Sequence, residues 1–112
     1  MLRTTTAGLL AGAFIMAALS GASAQETALR LTIKNNRFEP AELRAPAGKP
    51  IRLLIQNLDR TPEEFESKTL RVEKIVPAQS EATVQIRALQ PGRYRFYGEF
   101  HEATAQGALV VE

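Results

Sequence analysis

The chain has 112 residues, no cysteine, a single histidine, and methionine only at Met1 and Met16. From residue 25 onward, thiolate and thioether metal centres and thiol redox chemistry are therefore excluded. In that part 13 Lys+Arg face 12 Asp+Glu, a balance that leaves no footprint for nucleic acid or an anionic membrane.

Residues 1–24 read as an export signal. Arg3 forms the basic start, Ala7 to Leu19 the apolar run, and Ala22-Ser23-Ala24 the small-residue end, so the cut is expected before Gln25. Residues 25–112 contain no apolar stretch near the ~20 residues that a membrane span needs. The expected product is one small soluble domain in the periplasm.

Beyond the signal, alternation with period two dominates and no stretch keeps a helical period. Leu29, Leu31 and Ile33 alternate with Arg30, Thr32 and Lys34 as a half-buried strand, and Asn35-Asn36-Arg37 turns the chain ahead of Phe38 and Pro40. Glu42 to Ala45 is a short strand and Pro46 to Pro50 a turn. Ile51, Leu53 and Ile55 mark the next strand, with Leu54 apolar on its other face.

A loop from Asn57 to Pro62 leads into Glu63-Glu64-Phe65-Glu66-Ser67. Leu70 to Val76 is extended, and its apolar parity slips between Val72 and Ile75, which predicts a bulge. Ala82, Val84, Ile86 and Ala88 give another inner face before the Gln90-Pro91-Gly92 turn. Tyr94, Phe96 and Phe100 share one parity with Gly98 and are expected in the core, while Tyr97 has the opposite parity. Gly107 to Val111 closes the domain. Seven to eight short strands with turns about every 8–12 residues predict an all-β antiparallel Greek-key β-sandwich.

Chemistry concentrates in two segments. One carries Glu63, Glu64 and Glu66; the other carries Glu99, His101 and Glu102. Carboxylate oxygens with one imidazole suit borderline or hard cations such as iron, Cu(II), Mn(II) or Zn(II). In extended chain, Glu64 and Glu66 point away from Phe65, and Glu99 and His101 point away from Phe100, whereas Glu63 has core parity. A bland alternative is a solvated acidic face neutralised by Arg60, Lys68 and Arg95.

Phe38-Glu39-Pro40, Pro46-Ala47-Gly48, Asn57-Leu58-Asp59 and Pro91-Gly92-Arg93-Tyr94-Arg95-Phe96 resemble a cupredoxin domain over nearly all of residues 25–112. The resemblance implies blue-copper ligand positions near Glu63, Gly98, His101 and Ala105, of which only His101 retains a donor of the expected type. Without a thiolate, a type 1 copper centre is excluded.

Glu64-Phe65-Glu66-Ser67 together with Gly98-Glu99-Phe100-His101-Glu102 resembles the cupredoxin-like periplasmic proteins that accompany bacterial ferrous-iron permeases. That resemblance implies an iron site, with or without copper, and as partners a membrane iron permease and a second periplasmic metal-binding protein. It also implies oxidation or hand-over of Fe(II). Two other functions compete: a non-catalytic Cu(II) carrier or sensor, and a metal-free interaction module whose glutamates pair with a partner. No Ser-His-Asp pattern or phosphate loop points to a hydrolase.

Overall fold

The computed structural model describes residues 25–112; the expected export signal lies outside them. Nine strands follow in order: β1 (Thr27–Lys34), β2 (Arg37–Glu39), β3 (Glu42–Ala45), β4 (Ile51–Asn57), β5 (Glu63–Ser67), β6 (Val72–Val76), β7 (Glu81–Ile86), β8 (Gly92–Gly98) and β9 (Gln106–Val111). A 3₁₀ turn, Glu99–His101, separates the last two strands. One sheet has the order β2-β1-β4-β7 and the other β3-β9-β8-β5-β6.

The expected all-β sandwich is therefore present, with two differences. The three-residue β2 adds a strand where only a turn and its sequel were expected. The pairing is also mixed rather than purely antiparallel, because β1 runs parallel to β4 and β3 runs parallel to β9. Period two shows which face of a strand is buried, but not which strand lies beside it.

Alternation places Leu31, Ile33, Ile51, Leu53, Ile55, Val84 and Ile86 of one sheet against Phe65, Val76, Phe96, Leu109 and Val111 of the other. Phe38, Phe65 and Phe96 meet at the centre, with ring centroids 5.0 to 6.0 Å apart. Phe65 is fully buried. It pins the middle of β5 so that Glu64 and Glu66 point outward and Glu63 and Ser67 inward.

Two expectations fail for identifiable reasons. No bulge interrupts β6: its register with β5 is continuous from Glu63↔Val76 to Ser67↔Val72. The apparent slip arises because Leu70 belongs to the hairpin turn, in which Arg71 has φ 59°, and because Ile75 simply faces out at 54% exposure. Phe100 is likewise not core but 46% exposed. Strand parity ends at Gly98, and the 3₁₀ turn with about three residues per turn rotates the following side chains off the alternation.

Pairing brings the turn at Asn35-Asn36, the loop 58–62, the loop 77–80 and the segment 99–105 to one end of the sandwich. Asn35 and Asn36 both have positive φ, 55° and 58°, the backbone of a two-residue hairpin that follows the strands' twist. Asp59 closes this turn by accepting hydrogen bonds from both backbone N–H groups at 2.8 and 2.9 Å. Buried Asn57 ties loop 58–62 to the next connection through the carbonyls of Thr61 and Val76, at 2.9 and 3.2 Å. Asp59→Ala removes two charge-assisted hydrogen bonds and is expected to lower stability by about 1.5–3 kcal/mol, read from urea unfolding. A loss below half of that range would remove Asp59 from the loop's framework.

Candidate metal centre

The outward side chains of three adjacent strands and the 3₁₀ turn meet on the open face of the five-stranded sheet. Glu66 lies directly across from Glu73 on β6 and from Tyr97 on β8. Glu64 is two residues along β5, and Glu99 follows immediately after β8. Carboxylate oxygens of Glu64, Glu66, Glu73 and Glu99 all lie within 4.8 Å of one another.

Like charges placed directly opposite on neighbouring strands oppose folding, so the cluster calls for compensation. Among the described residues, the ion pairs of arginine are those of Arg44 with Glu42 and Glu112 and of Arg93 with Glu42. None reaches the cluster, and the neutralisation by Arg60, Lys68 and Arg95 weighed in the sequence is not made.

One oxygen of Glu66, Oε2, is shut off from solvent without a hydrogen-bond partner. The Glu66 carboxyl titrates above its ordinary range, first because of its contact with Glu99 and then because of partial burial. The Tyr97 hydroxyl beside it is also pushed up, by burial and then by the negative charge of Glu66. A bound cation would relieve both effects.

Glu63 and His101 belong to a different place. Glu63 is 1% exposed and points between the sheets. Its Oε1 accepts hydrogen bonds from the backbone N–H of Phe100 and Glu64 at 2.9 and 3.0 Å. Its Oε2 lies 2.5 Å from Nδ1 of His101, which is the donor to the carboxylate. The 3₁₀ turn thus sends Glu99 to the outer cluster and His101 inward. Turn and following loop are held by Gly98 N–H to the Ala105 carbonyl and Ala105 N–H to the His101 carbonyl, both 2.8 Å.

The six residues singled out in the sequence are consequently divided. Glu64, Glu66 and Glu99 come together, Glu63 and His101 form a separate inner pair, and Glu102 is exposed beyond the four-carboxylate group. Glu73 was missed. Starting the strand at Leu70 hid it, whereas a turn over residues 68–71 puts Glu73 opposite Glu66.

The positions matching blue-copper ligands do converge: a Cβ on Gly98 would sit 2.5 Å from Cδ of Glu63 and 2.7 Å from Cβ of Ala105. A thiol side chain has no room there, because the Glu63 carboxylate fills the space and engages Nδ1 of His101. The donor set and the packing both fail to fit a type 1 copper centre. Gly98→Ala is therefore expected to cost about 1–3 kcal/mol by overpacking, measured by urea unfolding. A stability equal to the parent's would mean that the Glu63 side chain is free to move away.

The strand orders and register define a two-sheet cupredoxin sandwich. The chain belongs to the family described as "Cupredoxin-like domain", whose profile matches residues 6–111. An "uncharacterized protein" of Rickettsia prowazekii (strain Madrid E) is 42% identical over 83 residues, 74% of this chain, and the chain spans 66% of that relative's length.

Similar solved structures include auracyanin A, a blue copper protein from Chloroflexus aurantiacus, with TM-score 0.68 and 14% identity, covering 79% of this chain and 100% of that one. The metal-binding domain of the Streptococcus pneumoniae Cu(I)-exporting P-type ATPase CopA, solved with Cu(I), gives TM-score 0.66 and 12% identity, over 79% and 96% of the two chains. A purple cupredoxin from Nitrosopumilus maritimus gives 0.56 and 18%, over 75% and 99%. At these identities the likeness is one of fold.

Proposed function

We propose that this domain binds iron at the outer carboxylate cluster and serves ferrous-iron uptake in the periplasm, receiving the ion and handing it to a membrane iron permease. A second periplasmic metal-binding protein is the expected further partner. The supporting observation is the convergence of four carboxylates that have no lysine or arginine counter-charge, one of them with an orphaned oxygen. Glu64, Glu66, Glu73 and Glu99 would hold the ion. Glu63 and His101 frame the turn that carries Glu99.

An all-oxygen anionic set favours hard cations and binds Fe(III) more strongly than Fe(II). Oxidation of Fe(II) at such a site releases one electron, which requires an acceptor. Carriage requires none, and it is the version we adopt. Copper is the competing metal, and its natural donor here is the ring nitrogen of His101 that Glu63 leaves free, Nε2.

Calorimetric titration with Fe(II) under anaerobic conditions, Mn(II) and Cu(II) tests the reading in the parent, Glu66→Gln and His101→Ala proteins. Iron and manganese binding lost in Glu66→Gln and kept in His101→Ala is the expected pattern. Copper binding that depends only on His101, or no uptake of any of the three ions, would overturn it.

A further inference from the structure

Continuing along the same outer face, away from the carboxylates, the charge reverses. Lys68 stands in the turn just after β5, and Arg95 and Arg93 precede Tyr97 along β8. These residues line an open groove of about 630 Å³ together with Tyr97 and Glu102, and Tyr97 lies across from Glu66 of the acidic cluster. That size lies within the roughly 300–1,000 Å³ range of small-molecule sites.

The groove's cations are largely unspent. Arg93 gives Nη1 to Glu42 at 3.0 Å. Arg95 makes only a long 3.5 Å contact to the amide oxygen of Gln106. Among the described residues Lys68 has no carboxylate partner. With Arg93 offset by Glu42, Lys68 and Arg95 are the positive groups that an anion lying in the concavity would satisfy. No ion pair among the described residues joins Lys68 or Arg95 to Glu66, or to Glu102 on the groove wall, so these cations do not neutralise the four-carboxylate cluster beyond Tyr97.

We propose that this groove binds a small, multiply charged oxyanion of carboxylate or phosphate type, which stays attached to the cation held by the neighbouring glutamates. The substrate is then a metal chelate rather than a bare ion. Arginine and lysine supply the donors that such oxygens accept from, and the glutamates supply the remaining oxygens around the cation. The ligand's coordination of the metal removes the repulsion that two adjacent anionic groups would otherwise suffer. This inference rests on the cluster being a cation site.

The test is retention of radiolabelled citrate, and separately of radiolabelled inorganic phosphate, by the iron-loaded protein in equilibrium ultrafiltration. The parent is compared with the Lys68→Gln/Arg95→Gln double variant, and circular dichroism checks that both are folded. The expected result is retention of at least one of the two oxyanions with iron in the parent. In the double variant that retention weakens about a hundredfold, the worth of two charge-assisted hydrogen bonds, with unchanged binding of iron offered alone. Retention of phosphate and not citrate, or the reverse, supports the site and fixes the oxyanion. Equal retention by parent and double variant, or no retention of either anion by an iron-loaded parent, overturns the inference and leaves the iron-binding function standing. Failure of the parent to bind iron at all removes both.

Discussion

Glu66→Gln is expected to move metal affinity and apo-protein stability in opposite directions. The substitution keeps the shape of the side chain but removes the charge that Glu99 and Glu73 oppose. Metal affinity should fall by more than the ~10–100-fold caused by losing an outer-sphere partner, because a ligand oxygen itself is lost. The urea midpoint of the metal-free protein should rise, since a like-charge conflict is relieved. Function-related strain relieved at the expense of binding is the expected trade.

The pH dependence follows the same residue. The folded-state Glu66 carboxyl titrates above the ordinary 4.5, so the folded protein holds a proton that the unfolded chain has already released. Its contribution to stability is present below that ordinary value and lost as pH rises through the raised one. Metal binding, which displaces the proton, should tighten over the same window. Both slopes should flatten in Glu66→Gln. Titration curves of parent and variant that superimpose would mean the four carboxylates do not act as one group.

Glu63→Ala should be the more damaging substitution for the fold. It removes a carboxylate that is itself 1% exposed and leaves the N–H groups of Phe100 and Glu64 and Nδ1 of His101 without their acceptor. Breaking a buried pair of this kind costs about 3–5 kcal/mol, a large share of the roughly 5–15 kcal/mol that holds a domain together. Glu63→Gln retains an acceptor for the backbone groups and should lose about 1–2 kcal/mol. Iron affinity should be unchanged in the glutamine variant. If it falls as steeply as in Glu66→Gln, the division between inner pair and outer cluster is wrong.

The strands could be read from the chain because their inner faces are nearly unmixed: Leu29-Leu31-Ile33, Ile51-Leu53-Ile55 and Val84-Ile86 leave little choice of period. Core parity of Glu63 was also legible, and the residue does point inward. The fate of Glu99 and His101 was not, since alternation was carried past Gly98 into a segment that is not extended. Glu73 required the register of a hairpin whose turn contains the buried Leu70, an apolar residue that imitates the start of a strand. Neighbour relations across the two sheets depend on crossovers that no local pattern encodes.

The position of β9 carries a consequence for how the domain comes into being. This strand follows the other eight described ones, yet it lies between β3 and β8, parallel to one and antiparallel to the other. Until Gln106–Val111 is available, both neighbours have an open edge, and the contacts that complete the sheet span most of the domain's length. A chain lacking those six residues therefore cannot close its second layer: β3 loses its sheet neighbour and β8 keeps an unpaired edge open to pairing with another chain.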